Sequence, residues 1–173
     1  ANDGAEIVKR IKKFGIIDNS FENVIEIGEV VISAILMSKP IWAYEAQVRG
    51  KNILLEYDIE PNVYVIGNEN EMREAIVNII INAVDAIKED NGRIEILVNT
   101  KKENVTILIR DNGYGMDDDT KKRIFEPFYT TKGKKGNGLG LSSVYKTIQK
   151  MNGRIEVESE VKKGTSFVIE IPK

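Results

Sequence analysis

Between residues 23 and 47 apolar side chains recur at the three-and-four spacing of an α-helix, and Pro40 is expected to bend or interrupt it. Residues 52–57 and 63–66 alternate in the manner of strands, with Glu60, Pro61 and Asn62 as the turn between them. The strongest helical pattern covers residues 69–88 and is expected to stop at Asn91-Gly92. Its apolar face is Ile76, Ile80, Ala83, Val84 and Ile87. Two more alternating segments follow, residues 93–99 and 104–110. From 111 to 138 the pattern dissolves into a stretch rich in Gly, Asp and Lys, a length that marks a functional or disordered loop inside a compact domain. Residues 139–151 are helical again, and residues 154–158 and 165–171 close the chain as a strand pair. A basic amphipathic stretch within residues 1–14, EIVKRIKKF, reads as a short helix. This order predicts an α+β two-layer sandwich: a mixed sheet of about five strands with helices on one face.

Composition narrows the chemistry. The 173 residues include neither cysteine nor histidine, which removes disulfides, thiolate zinc sites and histidine-based triads. Any metal must then be held by oxygen, which favours magnesium or calcium. A net charge of -2 argues against a nucleic-acid-coating role. The apolar run over residues 30–37 is too short to span a bilayer, and neither end reads as a signal peptide. The chain is therefore expected in the cytosol without membrane contact, although a longer parent could be anchored.

Four segments carry candidate chemistry. On the helix from residue 69, Asn78 and Asn82 are four apart and share a face with Glu71, Glu74 and Asp85. A solvated polar stripe is the ordinary reading of such a face. Asparagine is a poor helix former, however, and its amide oxygen is a hard neutral ligand suited to magnesium already balanced by phosphates.

DNGYGM at 111–116 follows a strand. A carboxylate there can accept a hydrogen bond from adenine's exocyclic amine, whereas guanine would present a repelling carbonyl. Gly113 and Gly115 would let a purine approach the backbone; a plain Asp-Asn-Gly turn reads equally well. GNGLGLS at 136–142 opens a helix, whose free amides and dipole suit a phosphate, though a flexible linker has the same composition. Between them lies IFEPFYTTK at 124–132, with aromatics that could anchor the loop and with Lys132, Lys134 and Lys135 near a terminal phosphate. Asp117, Asp118 and Asp119 are expected to cap a short helix rather than bind calcium.

Taken in order, NIIINAVDA, DNGYGM, FEPFYTTK, GNGLGLS and GTSF resemble the boxes of sensor histidine kinase catalytic domains, of the GHKL ATP-binding superfamily, and most closely the nitrogen-regulation and sporulation branch. The resemblance implies a domain over residues 21–173, with ATP between the Asn-bearing helix and a mobile lid at about 116–137. Residues 1–20 would be the tail of a dimerisation hairpin, and the chain an excised piece. It implies that Asn82 binds Mg2+ with Asn78 as the second polar position, and that Asp111 binds adenine. Gly113, Gly115, Gly138 and Gly140 would be nucleotide-loop glycines, with further contacts from Asp85, Phe128, Thr131, Gly136, Leu139 and Leu141. Asp85 stands where many members carry lysine, so Lys132 becomes the candidate for the terminal phosphate, acting with Asn78 in catalysis.

The implied activity is transfer of the γ-phosphoryl group of ATP to a histidine on a separate dimerisation domain, then onward to a response-regulator receiver domain. The isolated piece would be monomeric. Two rivals stand beside this. A GHKL ATPase or serine kinase would carry a glutamate four residues before the magnesium asparagine, where this chain has Asn78. A non-catalytic module could retain ATP as a conformational switch.

Overall fold

The computed structural model describes residues 23–173 except 49, 89, 134 and 135. The basic stretch at 1–14 and the candidate cations Lys134 and Lys135 lie outside the described residues.

Residues 23–26, expected to begin a helix, instead form strand β1 (Asn23–Glu26). It pairs antiparallel with β3 (Tyr64–Gly67) as a two-stranded ribbon. The helix begins only after Glu26 because that side chain accepts from the Glu29 amide and caps α1 (Ile27–Lys39). The Ile27 amide meanwhile donates to the Val63 carbonyl at 2.9 Å, fixing the ribbon to the helix start. Pro40 interrupts the helix as expected, opening a π-helical turn, Pro40–Glu45, that runs into the short α2 (Ala46–Val48). The continuous segment Ile27–Val48 is long and apolar enough to cross a membrane by length and composition, unlike the shorter run read from the sequence. Here Ile27, Val30, Val31, Ala34 and Ile35 are buried, and α1 packs on α3 (Glu69–Ala86).

The main sheet has five strands in the order β2 (Asn52–Ile59), β4 (Asn91–Lys101), β5 (Asn104–Asp111), β7 (Gly164–Pro172), β6 (Arg154–Glu160). Strand β2 runs parallel to β4, and all other pairs are antiparallel. The parallel pair requires a crossover, and β3 with α3 supplies it. Alternation decides which face is covered. Ile94, Ile96 and Val98, Val105, Ile107 and Ile109, and Phe167, Ile169 and Ile171 all point into the core. The opposite face carries ion pairs from Arg93 to Glu56, Arg110 to Glu95 and Arg154 to Glu170. The fold is the two-layer mixed-sheet sandwich that the pattern predicts.

Helix α3 is built to present two faces. Asn68 caps it by accepting from the amides of Asn70 and Glu71, both at 3.0 Å. Met72, Ile76, Ile79 and Ile80 are fully buried, each burial contributing roughly 1.5–3 kcal/mol. The helix ends at Ala86, earlier than the Asn91-Gly92 signal suggested. The extended, buried Ile87 terminates it, and Asn91-Gly92 begins β4. Helix α4 (Asp118–Arg123) interrupts the long loop, with the Asp117 carboxylate accepting from the Thr120 amide at 2.8 Å. Helix α5 (Gly140–Lys150) then packs against α3.

Candidate functional site

The outward face of α3, the ends of β5 and β7, the start of α5 and the long loop between residues 116 and 137 enclose a cavity of about 500 Å3. One end is acidic. Asp111 closes β5 opposite Thr165 of β7 and is only 6% exposed. Burial pushes its carboxyl up to about 6, while hydrogen bonds from the backbone of Gly113 and Thr165 pull the other way. The Gly113 amide donates to Asp111 Oδ1 at 2.7 Å, which aims the carboxylate. The carboxyl is therefore buried but not left without hydrogen-bond partners.

Glycine at position 115 is a steric requirement. Its φ is +69°, and a Cβ there would stand 2.0 Å from the Glu160 carbonyl oxygen. The turn consequently presses onto the β6–β7 hairpin, and Gly115 joins Asp111 in the cavity wall.

The other end is rich in hydrogen-bonding groups. Asn78, Asn82 and Asp85 project from α3 into the cavity wall. Lys132 reaches across from the loop, donating to Asn82 Oδ1 at 2.7 Å and to Asp85 Oδ2 at 2.6 Å. Gly140 and Leu141, the first residues of α5, also line this end, and among the described residues no side chain caps that helix at Leu139. A Cβ on Gly140 would come 3.7 Å from Asn78 Oδ1, so the two elements approach closely there. Uncapped amides and the helix dipole favour an anion at such a start.

The loop is anchored at its centre. Phe125 stacks in a tilted pair with Tyr145 of α5, ring centroids 5.5 Å apart, and Ile124 is buried. Arg123 lies over the Tyr129 ring at 4.4 Å. Phe128 behaves differently: it is 75% exposed and lies outside the cavity wall.

Of the residues singled out from the sequence, Asn78, Asn82, Asp85, Asp111, Gly115, Thr131, Lys132, Gly136, Gly138, Gly140 and Leu141 line this one cavity. Gly113, Phe128 and Leu139 do not. Gly113 supports the wall from behind, because a Cβ there would meet the Ala86 carbonyl carbon at 2.7 Å. Leu139 is the cap residue of α5, and its amide donates to Asn137 Oδ1. Thr165, Tyr114, Met116 and Thr120 also line the cavity without having been singled out. Thr165 had a legible signal: it shares the inward face of β7 with Phe167, Ile169 and Ile171, where a polar residue needs a reason.

Comparison with known proteins agrees with this geometry. Residues 67–173 match the family model described as histidine kinase-, DNA gyrase B- and HSP90-like ATPase. The chain belongs to this ATPase family. Within it, the chain is 35% identical over 147 residues to sporulation kinase A of Bacillus subtilis (strain 168), and 37% over 139 residues to sporulation kinase E of the same organism. Those alignments cover 85% and 79% of this chain but 22% and 19% of the relatives, so the chain spans about a fifth of their length. Among solved structures, the catalytic domain of histidine kinase ThkA aligns with a TM-score of 0.72 at 25% identity, covering 88% of this chain and 95% of that one. Full-length ShkA in complex with AMPPNP aligns with a TM-score of 0.72 at 25% identity, covering 87% of this chain and 31% of that one. Its relatives and structural neighbours place this family member among histidine kinase catalytic domains.

Proposed function

We propose that this domain binds Mg-ATP and donates the γ-phosphoryl group to a histidine on a separate dimerisation domain, in two-component signalling. The observation that carries the reading is the polarity of the cavity. A buried carboxylate, Asp111, stands at one end, while Asn82, Lys132 and the open start of α5 stand at the other. An adenine amine satisfies the first, and a run of phosphates satisfies the second. The AMPPNP complex of the structurally similar ShkA supports the choice of nucleotide.

The residues present fit a magnesium ion. Asn82 Oδ1 lies in the cavity wall and already accepts from a cationic group, the Lys132 ammonium, so it is a hard neutral oxygen suited to a cation there. When bound, magnesium would neutralise phosphate charge and orient the terminal group. The protein's own part is positioning and charge stabilisation. Asp111 holds the purine, the amides opening α5 hold phosphate oxygens, and Lys132 faces the terminal phosphate. Asn78 lies where phosphates would pass from α5 to Asn82.

In transfer, the bond between the γ-phosphorus and the bridging oxygen of ADP breaks, and a bond forms to an imidazole nitrogen of the acceptor. The chain contains no histidine, so the acceptor lies in another domain or chain. A response-regulator aspartate would then receive the phosphoryl group. The work is cytoplasmic, where ATP and receiver domains are available, and the longer parent is a sensor kinase.

Asn78 favours kinase over hydrolase. An amide accepts no proton at neutral pH and cannot activate water as a base. Mixing the chain with a histidine-bearing dimerisation domain and γ-labelled ATP tests the reading. Labelled histidine with slow release of free phosphate is expected. Fast phosphate release by the chain alone would transfer the assignment to the ATPases of the family.

A further inference from the structure

The ion pair between Lys132 and Asp85 differs in one respect from the others among the described residues: both its members line the cavity. The partners come from different elements, the loop and α3, and meet at 2.6 Å. The same ammonium also donates to Asn82 Oδ1, at 2.7 Å. An ammonium has three donors, so this double attachment to α3 leaves one for an incoming ligand.

We propose that Asp85 is a positioning residue that holds the Lys132 ammonium beside the terminal phosphate. The inference rests on the Mg-ATP reading above. Asn82 Oδ1 would hold a magnesium ion, and like-charge repulsion would keep the ammonium from sharing that oxygen. The lysine would then give up Asn82 and keep Asp85 as its partner. The lysine keeps its charge at the phosphate end and swings only from one oxygen to another. Without Asp85, the Lys132 ammonium would be free to turn toward solvent on its anchored loop, because its remaining protein partner would be the oxygen suited to the metal.

Both side chains are about a third exposed, 35% for Lys132 and 38% for Asp85. Water screens such a pair, so its effect on affinity is modest and falls on the terminal phosphate alone.

The test compares calorimetric affinities for Mg-AMPPNP and Mg-ADP. The unmodified chain should prefer the triphosphate. Asp85→Asn should reduce that preference by about two- to fivefold, the range of an exposed ion pair. Asp85→Glu should restore it. Lys132→Met should remove the lysine's share, and Asp85→Asn should then be silent in that background. A thermal melt close to that of the unmodified chain serves as the folding control for every variant. Three results would overturn the inference: no triphosphate preference in the unmodified chain, an unaltered preference in Asp85→Asn, or an equal loss with and without Lys132. Failure to bind either nucleotide would strike the Mg-ATP reading itself.

Discussion

The backbone amide of Phe128 donates to the carbonyl oxygen of Gly138 at 2.9 Å, closing residues 128–138 into a loop whose two ends are stitched together. Gly138 has a φ of +65°, and a Cβ there would stand 2.3 Å from the Phe128 carbonyl carbon. Phe128 itself is held at a φ of +66°, which few non-glycine residues adopt. The stitch sets where Lys132 and the start of α5 enter the cavity.

Gly138→Ala is therefore expected to spread the loop ends at a local cost of about 1–3 kcal/mol. The loss should fall on nucleotide affinity rather than on global stability, because the loop lies outside the main sheet. Calorimetry beside a thermal melt separates the two. A large drop in melting temperature would place the stitch in the folding core instead.

Asp111 makes two pH predictions of opposite sign. Its carboxyl is pushed from an ordinary 3.8 to about 6 by burial, so the folded state resists its ionisation. Stability from this group is full below its ordinary value and is lost as pH rises through about 6, by roughly 3 kcal/mol in total. Denaturant melts of the unmodified chain minus those of Asp111→Asn should show that loss between pH 4 and 6. Nucleotide affinity should climb over the same window, because the ionised carboxylate is the better acceptor for an adenine amine. Affinity that is flat from pH 5 to 7 would remove Asp111 from the binding site.

The two faces of α3 should respond differently to truncation. Ile76 is fully buried, and Ile76→Ala should cost about 2–5 kcal/mol of stability. Asn82→Ala, on the cavity face, should leave the melt near that of the unmodified chain and abolish the magnesium dependence of ATP binding. A normal magnesium titration in that variant would exclude Asn82 as the ligand.

The element types read from the chain survive in the structure because alternation and helical spacing match the buried faces. Ile94, Ile96 and Val98 announce an inward face as plainly as Ile76 and Ile80 do. The error at residues 23–26 has a specific origin. Asn23-Val-Ile-Glu fits a helical start locally, and only pairing with Tyr64–Gly67, far along the chain, makes it a strand. The Asp111–Thr165 and Asp85–Lys132 pairings were illegible for the same reason, since each joins residues separated by whole elements. Local motifs could supply the residues of the cavity but not the partner each one meets.

The central claim is an adenine grip by Asp111 with phosphates running toward Asn82, and nucleotide selectivity tests it most directly. Titrating the chain with ATP and GTP in the presence of magnesium should show clear preference for ATP. Asp111→Asn should weaken ATP by about 1–3 kcal/mol, the usual range for a hydrogen bond to a charged group, and narrow the gap to GTP. Equal affinity for the two nucleotides, or ATP affinity untouched by Asp111→Asn, would contradict the account.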